Sequence, residues 1–219
     1  MQNVRRRLRN LVRRGPDEVL RRAQGVIHIG ANTGQERDLY AAFGLRVLWV
    51  EPIPEVFDEL ERNLVGFPDQ RAVRALITDK PGETVNFHVS SNDGLSSSIF
   101  DFEQHSDIWP EVTTARSIEL ITTTLAELIQ REGASDGYDA LVMDTQGSEL
   151  LVLRGAEAVL SQFSIIKTEA ADFEAYSGCC RREDIEHFLT SRSFEETSCT
   201  EFARHGSGGR YFDIVFQRV

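Results

Sequence analysis

The residues best placed to do chemistry are carboxylates at the ends of apolar runs. Glu51 closes Val47-Leu-Trp-Val-Glu51, about 20 residues after Gly30, the spacing at which an acidic side chain meets the hydroxyls of a bound ribose. Asp144 closes a second run over 140–144 and Glu169 a third over 164–169. In an open α/β sheet the carboxyl ends of the strands form the ligand edge, so these side chains face a cofactor or a substrate. Asp144 is the first candidate for a general base, followed by Glu169 and His28. Each has a plainer reading: Asp144 as a helix cap, Glu149 as a partner of the same helix N-terminus, and His28 as a neutral histidine satisfied at the end of a buried strand. His88 and His105 could act from a lid or lie on the surface.

The ligand is constrained by the turn Gly30-Ala-Asn-Thr-Gly34, which follows the apolar run Val26-Ile-His-Ile29. It lacks the full G-x-G-x-x-G of dinucleotide binders, and Gln35 and Glu36 come next. A pyrophosphate wants convergent backbone N–H groups and a cationic neighbour, so a nicotinamide dinucleotide is disfavoured. S-adenosylmethionine carries a sulfonium, an ammonium and a carboxylate but no phosphate, and suits such a loop better. Asp144, Glu149 and Glu169 could converge on a divalent cation that lowers the pKa of an acceptor hydroxyl. Spacing over separate segments does not establish a metal site, and none is assigned.

The elements that must position these groups alternate between strand-like and helix-like segments, as in a parallel sheet covered on both faces. Strands are expected over 26–29, 47–51, 73–77, 140–144 and 164–169, with helices over 35–43, 55–64 and 125–132. Between about 80 and 123 the alternation fails, and strands over 85–89 and 118–123 flank a serine-rich stretch. That region reads as an insertion beside the sheet within a single domain, 25–219. Its polar loop over 90–98 suits either a binding lid or a linker. After a helix over 182–191, strands over 194–200 and 211–216 form an antiparallel hairpin.

With 219 residues, 41% of them apolar and 9% aromatic, the chain can bury one sizeable core. The net charge of −11 hides an asymmetry: Arg5, Arg6, Arg7, Arg9, Arg13, Arg14, Arg21 and Arg22 face only Asp17 and Glu18. The remainder is therefore more acidic still, which disfavours nucleic acid as a partner. Residues 1–24 read as a basic amphipathic helix, with Val4, Leu8, Leu11 and Val12 at helical spacing. It could pack on the acidic body, touch a membrane surface or an anionic glycolipid, or contact RNA. No apolar run approaches the ~18 residues of a membrane span and no signal peptide is recognisable, so a cytoplasmic location is expected. Cys179, Cys180 and Cys199 read as free thiols. The oligomeric state is not legible.

Several motifs together resemble the FkbM family of S-adenosylmethionine-dependent methyltransferases: His28-Ile-Gly-Ala-Asn-Thr-Gly-Gln-Glu36, Glu51-Pro52, Asp144-Thr-Gln-Gly-Ser-Glu149, Leu153-Arg-Gly-Ala156 and Lys167-Thr-Glu169. The resemblance implies a Rossmann-like class I methyltransferase fold, a seven-stranded mostly parallel sheet with its last strand antiparallel. It implies methyl transfer to a hydroxyl oxygen of a sugar, glycan, polyketide or other small metabolite. On the matching positions Gly30, Ala31, Asn32 and Gly34 would line the methionine end of the cofactor, Glu51 would take the ribose hydroxyls, and Thr78 and Asp79 would flank the adenine. His28 stands where many methyltransferases of this broad fold carry an acid that organises the methionine ammonium; here it would bind a loop carbonyl or face the acceptor. An NAD(P)-dependent enzyme and a cofactor-binding protein without turnover are the rival readings.

Overall fold

Residues 16–204, 206 and 208–219 are described by the computed structural model. Its first strand, β1 (Gly25–Ile29), is buried at every position, so it must be covered on both faces. The period of two sends Ile27 and Ile29 into one apolar cluster and Val26 into the other. After α1 (Arg37–Phe43), β2 (Arg46–Glu51) repeats the division, with Leu48 and Val50 on the first side and Val47 and Trp49 on the second. Tyr40 of α1 and Leu60 of α2 (Pro54–Asn63) cover the Val26 face. Each is fully buried, and a side chain of that size contributes about 1.5–3 kcal/mol by leaving water.

The chain continues through β3 (Gln70–Arg74), β4 (Leu76–Ile77), β5 (Thr84–Ser90), α3 (His105–Ile108) and β6 (Thr114–Thr123). Then follow α4 (Leu125–Glu132), β7 (Ala140–Met143), α5 (Glu149–Gly155), a 3-10 turn (Glu157–Gln162), β8 (Ile165–Ala171), α6 (Arg182–Thr190), β9 (Phe194–Arg204) and β10 (Arg210–Arg218). Residues of α4, α5 and α6 cover the Ile27 face. A seven-stranded sheet has the order β3-β2-β1-β7-β8-β10-β9. Its first five members pair in parallel, and β10 runs antiparallel to both β8 and β9. The fold is thus the expected α/β sheet with its last strand antiparallel.

The expected strand over 73–77 is two strands. β3 pairs with β2 in the large sheet, while β4 pairs with Thr122 and Thr123 of β6 in a separate three-stranded sheet, β4-β6-β5. Val73, Ala75, Leu76 and Ile77 keep the segment largely apolar across the break with Arg74 as its one polar residue, so hydrophobic pattern alone does not show the change of partner. The first helix also begins two residues later than expected, because Gly34 is left-handed and Glu36 is still non-helical. Gly155 explains part of the Leu-Arg-Gly-Ala motif: a Cβ there would lie 2.1 Å from the Thr78 carbonyl oxygen, so α5 can pack on that turn only without a side chain.

Most of the basic segment lies outside the described residues. Its described end is a 3-10 turn, Pro16–Arg22, with Leu20 fully buried against the Tyr40 side of the core. Asp17 binds Lys167 of β8 at 2.7 Å. That ion pair and Leu20 tie the end of the segment beneath the sheet.

Candidate active site

The turn after β1 is shaped by close approach. Gly30 has φ 80°, and a Cβ on it would lie 1.8 Å from the Asp144 carbonyl oxygen, inside any permissible contact. Three strand ends are laced here: Gly30 N–H and Ala31 N–H donate to the Val50 carbonyl at 3.0 and 3.1 Å, and Asp144 N–H donates to the Ile29 carbonyl at 3.0 Å. Asn32, at φ 43°, turns its own N–H to Glu51 Oε2 at 2.9 Å. Ile53 N–H donates to Glu51 Oε1 at 2.9 Å. The Glu51 carboxylate is therefore fixed on each oxygen by one backbone donor, and each oxygen keeps lone-pair capacity for a ligand hydroxyl. Burial pushes this carboxyl up to about 7 against those two amides, with the nearby Asp144 charge adding to the rise.

Glu51 opens into a cavity of about 210 Å³. Part of its lining is apolar, from Ile53, Ala75, Leu76, Ile77 and Phe87, the kind of surface on which a flat aromatic ring packs. Glu36, Glu51 and Asp144 also line it, and no lysine or arginine does so among the described residues. His28 also lines it and adds no charge: burial holds its imidazole down to about 3, with Lys167 contributing. Its ring stacks on Trp49 at 4.9 Å, and Nδ1 meets the Tyr40 hydroxyl at 3.2 Å. A wall with negative potential and an apolar face selects a ligand that is part cation and part aromatic.

The loop over 90–98 closes one side. Its hydroxyls lace it internally: Ser97 Oγ accepts from Ser90 N–H at 3.0 Å, and Asn92 Nδ2 donates to Ser96 Oγ at 3.0 Å. Asn32 Nδ2 reaches the Asp93 carbonyl at 3.1 Å, and Ser98 Oγ donates to the Gln146 carbonyl at 2.8 Å. Gly94, Leu95 and Ser97 line the cavity. Of the binding lid and the linker left open by its composition, these bonds and this lining favour the former, a loop fastened over the cavity.

Asp144 is shared between this cavity and a crevice of about 20 Å³ on its other side. Gln146 Nε2 donates to Asp144 Oδ1 at 2.5 Å, and Tyr176 OH donates to Gln146 Oε1 at 2.5 Å. Gln146 has φ 53°, a strained backbone for a residue with a side chain. Burial raises the Asp144 carboxyl to about 7, opposed by the Gln146 bond and reinforced by Glu149 and Glu36. Glu169, half-buried in the crevice, is pushed up to about 9 by burial and by Asp144 and Asp213. Glu149 is spent on structure: its oxygens accept from Thr145 N–H, Thr145 Oγ1 and Gly147 N–H at 2.9, 3.1 and 3.0 Å.

Of the residues singled out by sequence, His28, Gly30, Ala31, Asn32, Glu51 and Asp144 line the cavity together. Gly34, Thr78, Asp79 and Glu169 do not. Gly34 packs behind the turn on Leu60. Thr78 Oγ1 bonds the Lys80 carbonyl at 3.0 Å and closes its own turn. After the break at Ala75 it is Leu76 and Ile77 that line the cavity, not Thr78 and Asp79. Among the described residues no group of three His, Cys, Asp or Glu is arranged to hold a metal ion. Sequence reasoning missed Tyr176 and Tyr211, and it held Gln146 only as a member of the Asp144–Glu149 motif, with nothing to announce its left-handed backbone or its bond to Asp144.

The sequence profile of the methyltransferase FkbM domain matches residues 28–197. No curated protein matches the chain. Among solved structures, a magnesium protoporphyrin IX methyltransferase from Synechocystis with bound SAM is similar, with a TM-score of 0.51 at 11% identity, over 100% of this chain and 79% of that one. An uncharacterized protein from Listeria monocytogenes is similar with a TM-score of 0.51 at 10% identity, over 90% of this chain and 62% of that one. At such identities the likeness is one of fold.

Proposed function

Because the chain belongs to the FkbM methyltransferase family, we propose that it uses S-adenosylmethionine to methylate a hydroxyl on a small metabolite, sugar or glycan. The observation that carries the cofactor is the lining of the cavity. Glu36, Glu51 and Asp144 surround a space that no lysine or arginine lines among the described residues, beside an apolar wall. A sulfonium and an ammonium fit that charge pattern, a pyrophosphate does not, and an adenine fits the wall of Ile53, Leu76, Ile77 and Phe87. SAM bound to the Synechocystis methyltransferase of the same fold supports the same assignment.

Bound there, the sulfonium supplies an electrophilic methyl group. Glu51 would take the two ribose hydroxyls through the lone pairs left free by Asn32 and Ile53, orienting the nucleoside. Gly30 and Ala31 let the ligand approach the backbone. Asp144, with a carboxyl near 7, is matched to accept a proton from an attacking hydroxyl at neutral pH. Glu169, near 9, holds its proton there, and His28, near 3, is too weak a base. Holding the acceptor in line is worth up to roughly 7–11 kcal/mol of barrier in favourable cases. The basic segment ahead of Pro16 would bring this acidic body to an anionic membrane or glycolipid surface.

The test is methyl transfer from tritiated S-adenosylmethionine to a panel of alcohols, amines and thiols. Label is expected in alcohols as ethers. Label confined to amines or thiols would overturn the hydroxyl assignment while leaving the cofactor assignment intact.

A further inference from the structure

The crevice behind Asp144 holds a polar group that the fold itself leaves unused. Tyr211 of β10 lines it, is 8% exposed, and among the described residues its hydroxyl has no hydrogen-bond partner. An orphaned buried hydroxyl costs on the order of 1–3 kcal/mol, so a partner supplied from outside the chain is the economical explanation. The ring is locked in place: Phe173 meets it edge-on at 5.1 Å and Trp109 lies at 5.4 Å. Burial raises the phenol well above its ordinary range, which keeps it a donor.

The crevice has room for about one water-sized group, not for a ring. It meets the larger cavity at Asp144 and Gln146, which line both. Its other polar walls are Glu149, Glu169, Tyr176 and the thiols of Cys179 and Cys180. No lysine or arginine lines it among the described residues. We propose that this crevice is the subsite for the acceptor's reacting hydroxyl, that Tyr211 is the residue that donates to its oxygen, and that the acceptor is neutral around that hydroxyl. A phosphate or carboxylate on the adjoining carbon would meet the Asp144 carboxylate with no lysine or arginine of the lining to offset it. The acceptor's proton passes to Asp144 as its oxygen bonds to the methyl carbon and the carbon–sulfur bond breaks. This inference rests on the methyltransferase reading and narrows its substrate class to uncharged polyols and glycosides.

The experiment compares wild type with Tyr211→Phe on matched acceptors: neutral methyl glycosides and cyclitols, and the same compounds bearing a phosphate or carboxylate next to the free hydroxyl. Label from tritiated S-adenosylmethionine is expected in neutral members alone. Tyr211→Phe should cut kcat/KM by about tenfold, the value of one hydrogen bond of ~1.4 kcal/mol. It should leave S-adenosylhomocysteine binding unchanged and should not lower Tm, because it deletes an unpaired group. In protein carrying fluorotyrosine, the Tyr211 ¹⁹F signal, identified by its loss in Tyr211→Phe, should move with neutral acceptors and not with S-adenosylhomocysteine. Preference for charged acceptors overturns the proposal, as does full activity of Tyr211→Phe. A panel that is neither methylated nor able to move that signal overturns it too. Failure of S-adenosylhomocysteine to bind at all would instead remove the reading beneath it.

Discussion

The two ends of the site are built by different means. The end around Gly30 and Glu51 is made of backbone: strand termini bonded to one another, with a carboxylate pinned by two amides. The end around Asp144 and Tyr211 is made of side chains from the turn after β7, the start of α5, β8, β10 and the 175–180 segment, and among the described residues it keeps a strained glutamine and an unpaired phenol. The first end is satisfied before any ligand arrives, as suits a group that every turnover requires. The second leaves polar capacity open, as suits a part that must select one acceptor.

Substitutions that act on one end alone would sharpen this division. Asp144→Asn keeps the shape and removes the proton acceptor, so turnover should fall by about 10²–10⁴-fold while S-adenosylhomocysteine binding persists. Initial rates and calorimetry on the same protein check it; equal loss of both would dissolve the division. Gly30→Ala acts oppositely. Its Cβ would strike the Asp144 carbonyl, and at φ 80° the strain is on the order of 1–3 kcal/mol or more, so Tm and cofactor binding should both drop.

Proton linkage gives a smaller effect that reaches both ends. Glu51 and Asp144 are raised to about 7 and Glu169 to about 9, above their unfolded values of roughly 4. The folded chain thus binds more protons than the unfolded one between those limits. The stability these groups contribute is fully present below ~4 and is lost as pH rises through about 7 and then about 9. Ligand-free protein should therefore show a falling contribution to Tm across that window, and a bound cation should flatten the fall. Thermal melts with and without S-adenosylmethionine across pH measure it. Smallest is Gln146→Gly, which relieves the left-handed strain and removes the bond that lowers the Asp144 carboxyl. Tm should change little, and the acid limb of the pH–rate profile should move to higher pH.

The same contrast decides what was legible in the sequence. Gly30 and Glu51 lie about 20 residues apart on adjacent parallel strands, so spacing alone pairs them. Asp144 announced itself by ending a buried run. Thr78 and Asp79 were misplaced with respect to the cavity because Val73, Ala75, Leu76 and Ile77 read as one strand, while the chain changes sheets at Ala75. Tyr176 and Tyr211 come together only through the order β7-β8-β10 and the cover around Phe102, which bridges to Tyr176. No local pattern encodes contacts of that range. Glu149 was weighed for chemistry and for structure, and its bonds to the Thr145–Gly147 turn favour structure.

The central claim is that the Glu51 cavity is an anionic, cation-free seat for a sulfonium nucleoside. Calorimetry on wild type and Glu51→Gln, with S-adenosylmethionine and NAD on either side of neutrality, tests it most directly. Wild type should bind S-adenosylmethionine, more tightly as pH rises through about 7 and with proton release below it, should ignore NAD, and should lose much of its affinity in Glu51→Gln. Binding of NAD, or S-adenosylmethionine affinity indifferent to both pH and Glu51→Gln, would contradict it.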